Sequence, residues 1–202
     1  MPELRSRTID DFLRELASAS ATPGGGSVAA LSGAIASDLG SMVCRLTLKR
    51  APTDQLADLL ARFVSLEGGF LELADADELA FSAVMDAYGI DRSDESRAAR
   101  IASALFEATR VPQQVAELGI DLLQELCTLA PLGSKQSVSD VGVAAHLATA
   151  AVRSALLNVR INLAYMRDRA MVEEMEKAAC TLDDQCTSLS ERAVSAVAQP
   201  IS

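Results

Sequence analysis

An all-α bundle of about six long antiparallel helices, in a single domain over residues 1–202, is the fold this sequence predicts. Three observations predict it. Half of the 202 residues are hydrophobic, yet aromatics make up 3% and tryptophan is absent. Alanine and leucine carry the apolar content, and both lose little freedom in a helix. Apolar residues recur at helical spacing, and no segment reads convincingly as a strand. A core this poor in aromatic bulk requires closely spaced helices. At this length one apolar core is stable without staples.

The elements follow in order. The first helix starts at about Thr8, where Thr8 and Asp11 occupy capping-box-like positions and Ile9, Phe12, Leu13 and Leu16 share a face. SATPGGGS ends it. The second runs from near Ser27 to before Pro52. Thr53 caps a third that reaches Tyr88, interrupted or weakened at Gly68–Gly69. GIDRSDES is a turn. A fourth spans about Ser93 to Leu129, with a kink at Pro112. Pro131 and Gly133 in APLGSKQSVSD stop it, and Ser139 caps a fifth that runs to about Met166. The sixth, charged and amphipathic, spans about Asp168 to Val197.

The formal net charge of −10 makes duplex nucleic acid or an anionic membrane a poor partner. Cys44, Cys127, Cys180 and Cys186 are scattered and form no C-x-x-C pair, so the expectation is four reduced, mostly buried thiols. The N-terminus lacks an apolar run of signal-peptide length, and the expected location is the cytoplasm. His146 stands alone without a carboxylate–histidine cluster, so no metal is expected. No nucleophile elbow or Cys–His pairing is visible.

The most informative stretch is ATPGGGSVAALSGAIASDLGSMVCRLT, residues 21–47. Gly26 is followed by Ser27-Val28-Ala29 rather than by lysine, which excludes a P-loop. Asp38 and Arg45 interrupt the apolar run, which argues against a membrane span. Gly26, Ala30, Gly33, Ser37, Gly40 and Cys44 alternate at intervals of four and three, which puts them on one helical stripe. A stripe with almost no side chain lets a second helix approach closely, and that packing must offset up to about 1 kcal/mol per glycine in helix propensity. Gly24, Gly25, Gly26 and Ser27, at the helix start, either present backbone N–H groups to an anion or a polar ring edge, or form a flexible turn.

Asp77 shares a stripe with Leu66, Phe70, Leu73, Phe81, Val84 and Tyr88. A carboxyl there is partly desolvated, which raises its pKa and suits general acid–base work; the alternative is a structural carboxylate on a neighbouring helix end. Glu78, flanked at helical spacing by Leu71, Ala74 and Met85, points inward. Asp75 fits a solvated face. Asn158 and Asn162, in line with Ala151, Ala155 and Tyr165, need polar partners: a ligand edge or another helix. Ser139 and Asp140 are explained by helix capping. Arg153, Arg160 and Arg167 recur every seven residues, as on a solvated or interface face.

These residues resemble the formiminotransferase-cyclodeaminase C-terminal family, the cyclodeaminase and methenyltetrahydrofolate cyclohydrolase proteins of folate one-carbon metabolism. TPGGGSVAALSGAIASDLGSMV looks like the family's opening motif. DADELAFSAVMDAY is similar to its D-A-D-x-x-A-F segment, and TRVPQQVAEL matches a V-P helix kink. SDVGVAAHLATAAVRSALLNVRINL resembles its S-D-x-x-V-A…N-V-x-I-N stretch. The segments occur in the right order and span nearly the whole chain.

The resemblance implies a helical subunit that dimerises and a tetrahydrofolate derivative as substrate, with no further cofactor. Two reactions are implied: ring closure of 5-formiminotetrahydrofolate to 5,10-methenyltetrahydrofolate with ammonia release, or hydrolysis of the methenyl bridge. It implies that Asp77, the second aspartate of D-A-D, is catalytic. Substrate-binding roles then fall to Gly24, Gly25, Gly26, Ser27, Glu78, Ser139, Asp140, Asn158 and Asn162, with Lys135 meeting the glutamate tail. Two departures stand against it. Asp38 interrupts a helix that is more often small and apolar, and LGSKQSVSD replaces a more usual GNPNAISD. They motivate a rival reading, a catalytically silent protein that binds folate or a partner subunit.

Overall fold

A computed structural model describes residues 3–201, with side-chain surroundings given through Val197. After a 3-10 turn at Leu4–Ser6, six helices follow: α1 (Ile9–Leu16), α2 (Gly25–Leu48), α3 (Asp54–Gly89), α4 (Arg97–Leu129), α5 (Val138–Leu163) and α6 (Arg169–Ile201). No strand occurs among the described residues. The predicted caps form: the Asp11 N–H donates to Thr8 Oγ1 at 3.1 Å and the Leu56 N–H to Thr53 Oγ1 at 3.3 Å.

The start of α2 and the ends of α5 and α6 shift from expectation by about a turn or less, and α3, α4 and α5 differ in ways with a visible cause. α3 runs unbroken through Gly68–Gly69, because Leu66 and Phe70 on either side are buried and outweigh the propensity cost of the pair. α4 starts at Arg97 rather than near Ser93, because the Asp91 and Asp94 carboxylates accept the N–H groups of Ser93 and Ser96 and hold a turn there. The cap position of α5 is Ser137, and Ser139 lies inside the first turn, exposed.

The small-residue stripe of α2 is buried along its whole length. Each of its three glycines receives one side chain from α3. A Cβ built on Gly40 would lie 2.6 Å from Phe63 Cε1; on Gly33 it would enter the Phe70 ring; on Gly26 it would enter the Asp77 carboxyl. Both series step by seven residues and run in opposite directions, which fixes α2 and α3 as an antiparallel pair in one register. Phe63 and Phe70 are fully buried.

On its other side α2 packs against α5, whose inward face is also built of small residues, including Ala144, Ala148 and Ala151. α4 and α6 complete the bundle around α5. By length and composition α2 and α5 would each suffice to cross a membrane, but here they are the central helices of the core. Of the thiols, Cys44 and Cys186 are buried, Cys127 is half-buried and Cys180 is exposed, so the expectation of mostly buried thiols fails at Cys180, on the outer face of α6. Burial pushes the Cys44 thiol up to about 11.

Candidate active site

Asp77 sits where the register of α3 meets the mouth of α2. Its Oδ2 accepts the Ser27 hydroxyl at 3.2 Å, and the Ser27 N–H donates to the same carboxyl. The group at the mouth of α2 is thus the chain's own Asp77 carboxyl, seated on a neighbouring helix end as one of the sequence alternatives has it. Burial raises the Asp77 pKa above its ordinary value of 3.8. The two Ser27 bonds oppose that rise, and the neighbouring Glu78 charge adds to it.

The carboxyl lies in the wall of a cleft of about 480 Å³, within the range of small-molecule sites. Gly24, Gly25 and Gly26 form one edge. Phe81, Val84, Met85 and Tyr88 continue the Asp77 stripe along another, and Asn158, Asn162 and Tyr165 close the cleft from α5.

The two asparagines are held differently. Asn158 donates to the Ser154 carbonyl of its own helix at 2.9 Å. Asn162 donates to the Ala108 carbonyl of α4 at 2.6 Å. That carbonyl is available because its helical partner four residues on is Pro112, which has no N–H. The proline in α4 thus explains the inter-helix bond that orients Asn162 at the cleft.

Glu78 does not line this cleft. Adjacent helical residues point about 100° apart, so turning Asp77 to the cleft turns Glu78 toward the N-terminal segment. There Arg7 donates to both its carboxylate oxygens, at 3.0 and 2.8 Å, in a pair that is almost wholly buried. Arg7 also reaches Glu15 at 3.3 Å. Asp75 is not simply solvated: it accepts the Leu4 N–H at 2.8 Å. A hollow of about 700 Å³ on this side of α3 is lined by Arg7, Asp75 and Glu78, which are committed to one another or to the segment above.

Lys135, Ser139 and Asp140 do not join the site within one chain either. Asp140 precedes Asn158 by 18 positions on α5, a separation of about 27 Å along the axis. The loop before it is tied to the opposite end of α2, where the Ser134 N–H meets Thr47 Oγ1 at 3.4 Å. The two departures also lie elsewhere: Asp38 is exposed, about 18 Å along α2 from Gly26, and the 132–137 loop is at the far end.

Sequence reasoning missed Thr22, Leu105 and Ala108 as cleft walls and Arg7 as the partner of Glu78. For Ala108 a signal existed, the proline four residues on. For Arg7 none did, because the contact spans 71 positions.

The family model described as Formiminotransferase-cyclodeaminase matches residues 8–181. A methenyltetrahydrofolate cyclohydrolase from Methylorubrum extorquens is 40% identical over 195 residues, covering 93% of this chain and 94% of the relative. A formimidoyltransferase-cyclodeaminase from Mus musculus is 34% identical over 179 residues; the match covers 85% of this chain but 33% of the mouse protein. Among solved structures, formiminotetrahydrofolate cyclodeaminase from Thermotoga maritima superposes with a TM-score of 0.89 over 98% of both chains at 29% identity.

Proposed function

The chain belongs to the formiminotransferase-cyclodeaminase family, and on that premise we propose that it is a folate one-carbon enzyme that opens the methenyl bridge of 5,10-methenyltetrahydrofolate with water. The observation that carries this reading is a desolvated carboxyl, Asp77, hydrogen-bonded at a helix mouth in the wall of a cleft. The choice of reaction is supported by the cyclohydrolase relative, which matches over nearly its full length.

The substrate brings its own electrophile, the cationic carbon between N5 and N10. Ionised Asp77 takes a proton from water as the water oxygen bonds to that carbon. The C–N5 bond then breaks, and N5 receives the proton back from Asp77. The remaining hydroxyl proton leaves to solvent as the formyl C=O forms, giving 10-formyltetrahydrofolate and one proton. A raised carboxyl pKa suits both halves of this transfer, since the group must accept a proton and then yield it. Ser27 orients the carboxyl. The glycine mouth, Asn158 and Asn162 hold the pterin, so that the reacting atoms meet at contact distance.

A second reaction is favoured by the Thermotoga maritima likeness. N10 attacks the carbon of a protonated formimino group, Asp77 removes the N10 proton and delivers it to the departing nitrogen, and ammonia leaves. The proposal includes a soluble homodimer in the cytoplasm, with sedimentation as the test of assembly.

The decisive experiment follows the loss of methenyltetrahydrofolate absorbance with wild type and Asp77→Asn, and measures ammonia from the formimino substrate in parallel. Turnover abolished by the substitution supports the enzyme, and ammonia release separates the two reactions. Binding without turnover of either substrate overturns the enzymatic reading in favour of the silent rival.

A further inference from the structure

The heptad row of arginines does not behave as one face. Arg153 reaches Thr187 at 3.3 Å, and Arg160 pairs with Asp183 at 3.0 Å, both on α6. Arg167 falls beyond the end of α5, in the turn to α6, and lines a separate cavity of about 690 Å³. Tyr88, Leu105 and Tyr165 are walls of both this cavity and the Asp77 cleft, so the two adjoin.

The second cavity has an apolar body and a cationic rim. Ile101, Phe106 and Met171 supply the body, and Arg97 and Arg167 the charge. Arg97 is fixed in place: its Nε donates to the Ile90 carbonyl at 2.9 Å and its Nη2 to the Tyr88 carbonyl at 3.2 Å, so its guanidinium retains further donors. The first turns of α4 and α6 border the cavity, and their dipoles favour an anion. Asp168, the acidic residue in the lining, is occupied in accepting the N–H groups of Ala170 and Met171.

A tetrahydrofolate has matching parts: a polar pterin, then an aromatic p-aminobenzoyl ring, then a dianionic glutamate. We propose that the cavity between α4 and the α5–α6 turn is the binding site for the p-aminobenzoyl-glutamate portion of the substrate, with Tyr88 and Tyr165 flanking the ring and Arg167 and Arg97 receiving the carboxylates. The assignment rests on the folate reading of the Asp77 cleft. It also moves tail recognition from Lys135, which lies beyond the far end of α5, about 40 Å away along the axis, to a cavity that borders the cleft.

Calorimetric binding of tetrahydrofolate and of tetrahydropteroate, the same molecule without its glutamate, tests this in wild type, Arg167→Glu, Arg167→Lys and Lys135→Ala. Wild type is expected to bind tetrahydrofolate about tenfold more tightly, the effect of one charge-assisted contact set. Arg167→Glu brings the ratio to within about twofold, while Arg167→Lys and Lys135→Ala leave most of it. Equal wild-type affinities, equal weakening of both ligands by Arg167→Glu, or loss of the ratio in Lys135→Ala alone overturns the assignment. Tail-dependent binding without turnover sustains the assignment and overturns the enzymatic reading. Turnover without a tail preference does the reverse, and failure to bind tetrahydrofolate at all overturns both.

Discussion

The three glycine sockets along α2 are built alike and filled differently. At Gly40 and Gly33 the space is taken by the rings of Phe63 and Phe70, sealed in the core. At Gly26, one heptad further, it is taken by the Asp77 carboxyl, half-buried at the edge of a cleft. The first two contacts hold the helices together. The third uses the same close approach to desolvate an acid and bring it to a helix N-terminus. Interlocked helices fix a side chain more tightly than a loop does, so the packing that stabilises the bundle also sets the position of the reactive group.

The largest effect is expected at the third socket. Asp77→Asn keeps an acceptor for Ser27 and removes the proton carrier, so turnover falls by about 10²–10⁴-fold. Stability moves the other way. Because burial raises the Asp77 pKa in the folded state above 3.8, the folded chain holds the extra proton between the two values. Stability therefore falls as pH rises through that window and stays lower above it. Denaturant melts at several pH values should find this loss in wild type and not in Asp77→Asn.

Emptying a structural socket gives the opposite pattern. Phe63→Ala costs about 3–5 kcal/mol in urea unfolding, and turnover per folded molecule is retained. Filling the sockets sharpens the contrast. Gly33→Ala forces a methyl against Phe70 and costs about 1–3 kcal/mol, whereas Gly26→Ala displaces the acid and lowers turnover by about 10²-fold. Were Gly26→Ala merely to destabilise, as Gly33→Ala does, the distinction between the sockets would fail.

Most of the bundle was legible because its signals are local. Caps at Thr8 and Thr53, the stop at Pro131 and the small stripe of α2 are each read within a few residues. The depth of Asp77 was legible from its apolar stripe. What it faces was not, because Ser27 lies 50 positions away and spacing within one helix cannot name the helix opposite. For the same reason helical spacing turns Glu78 inward without naming Arg7, and it does not separate Lys135, Ser139 and Asp140 from a cleft at the other end of the bundle.

Smaller effects concern the cleft's support. Asn162→Ala orphans the Ala108 carbonyl and costs about 1–3 kcal/mol. In a Pro112→Ala background, where the helix regains an N–H for that carbonyl, the cost shrinks, and a double-mutant cycle in urea measures the difference. At the bottom of the scale, Asp38→Ala on the exposed face of α2 changes stability by no more than about 0.5 kcal/mol and leaves turnover unaltered. A large loss there would make the α2 surface part of the site.

The pH dependence of kcat/KM for methenyltetrahydrofolate loss, in wild type and Asp77→Asn, tests the role of the socketed acid most directly, since it reports the ionisation of the free enzyme's essential group. Activity should decline on the acid side with an apparent pKa above 3.8, because the carboxyl must be ionised to accept the proton of water, and the residual Asp77→Asn rate should lack that decline. The same acid limb in both proteins, or equal rates, would contradict the account.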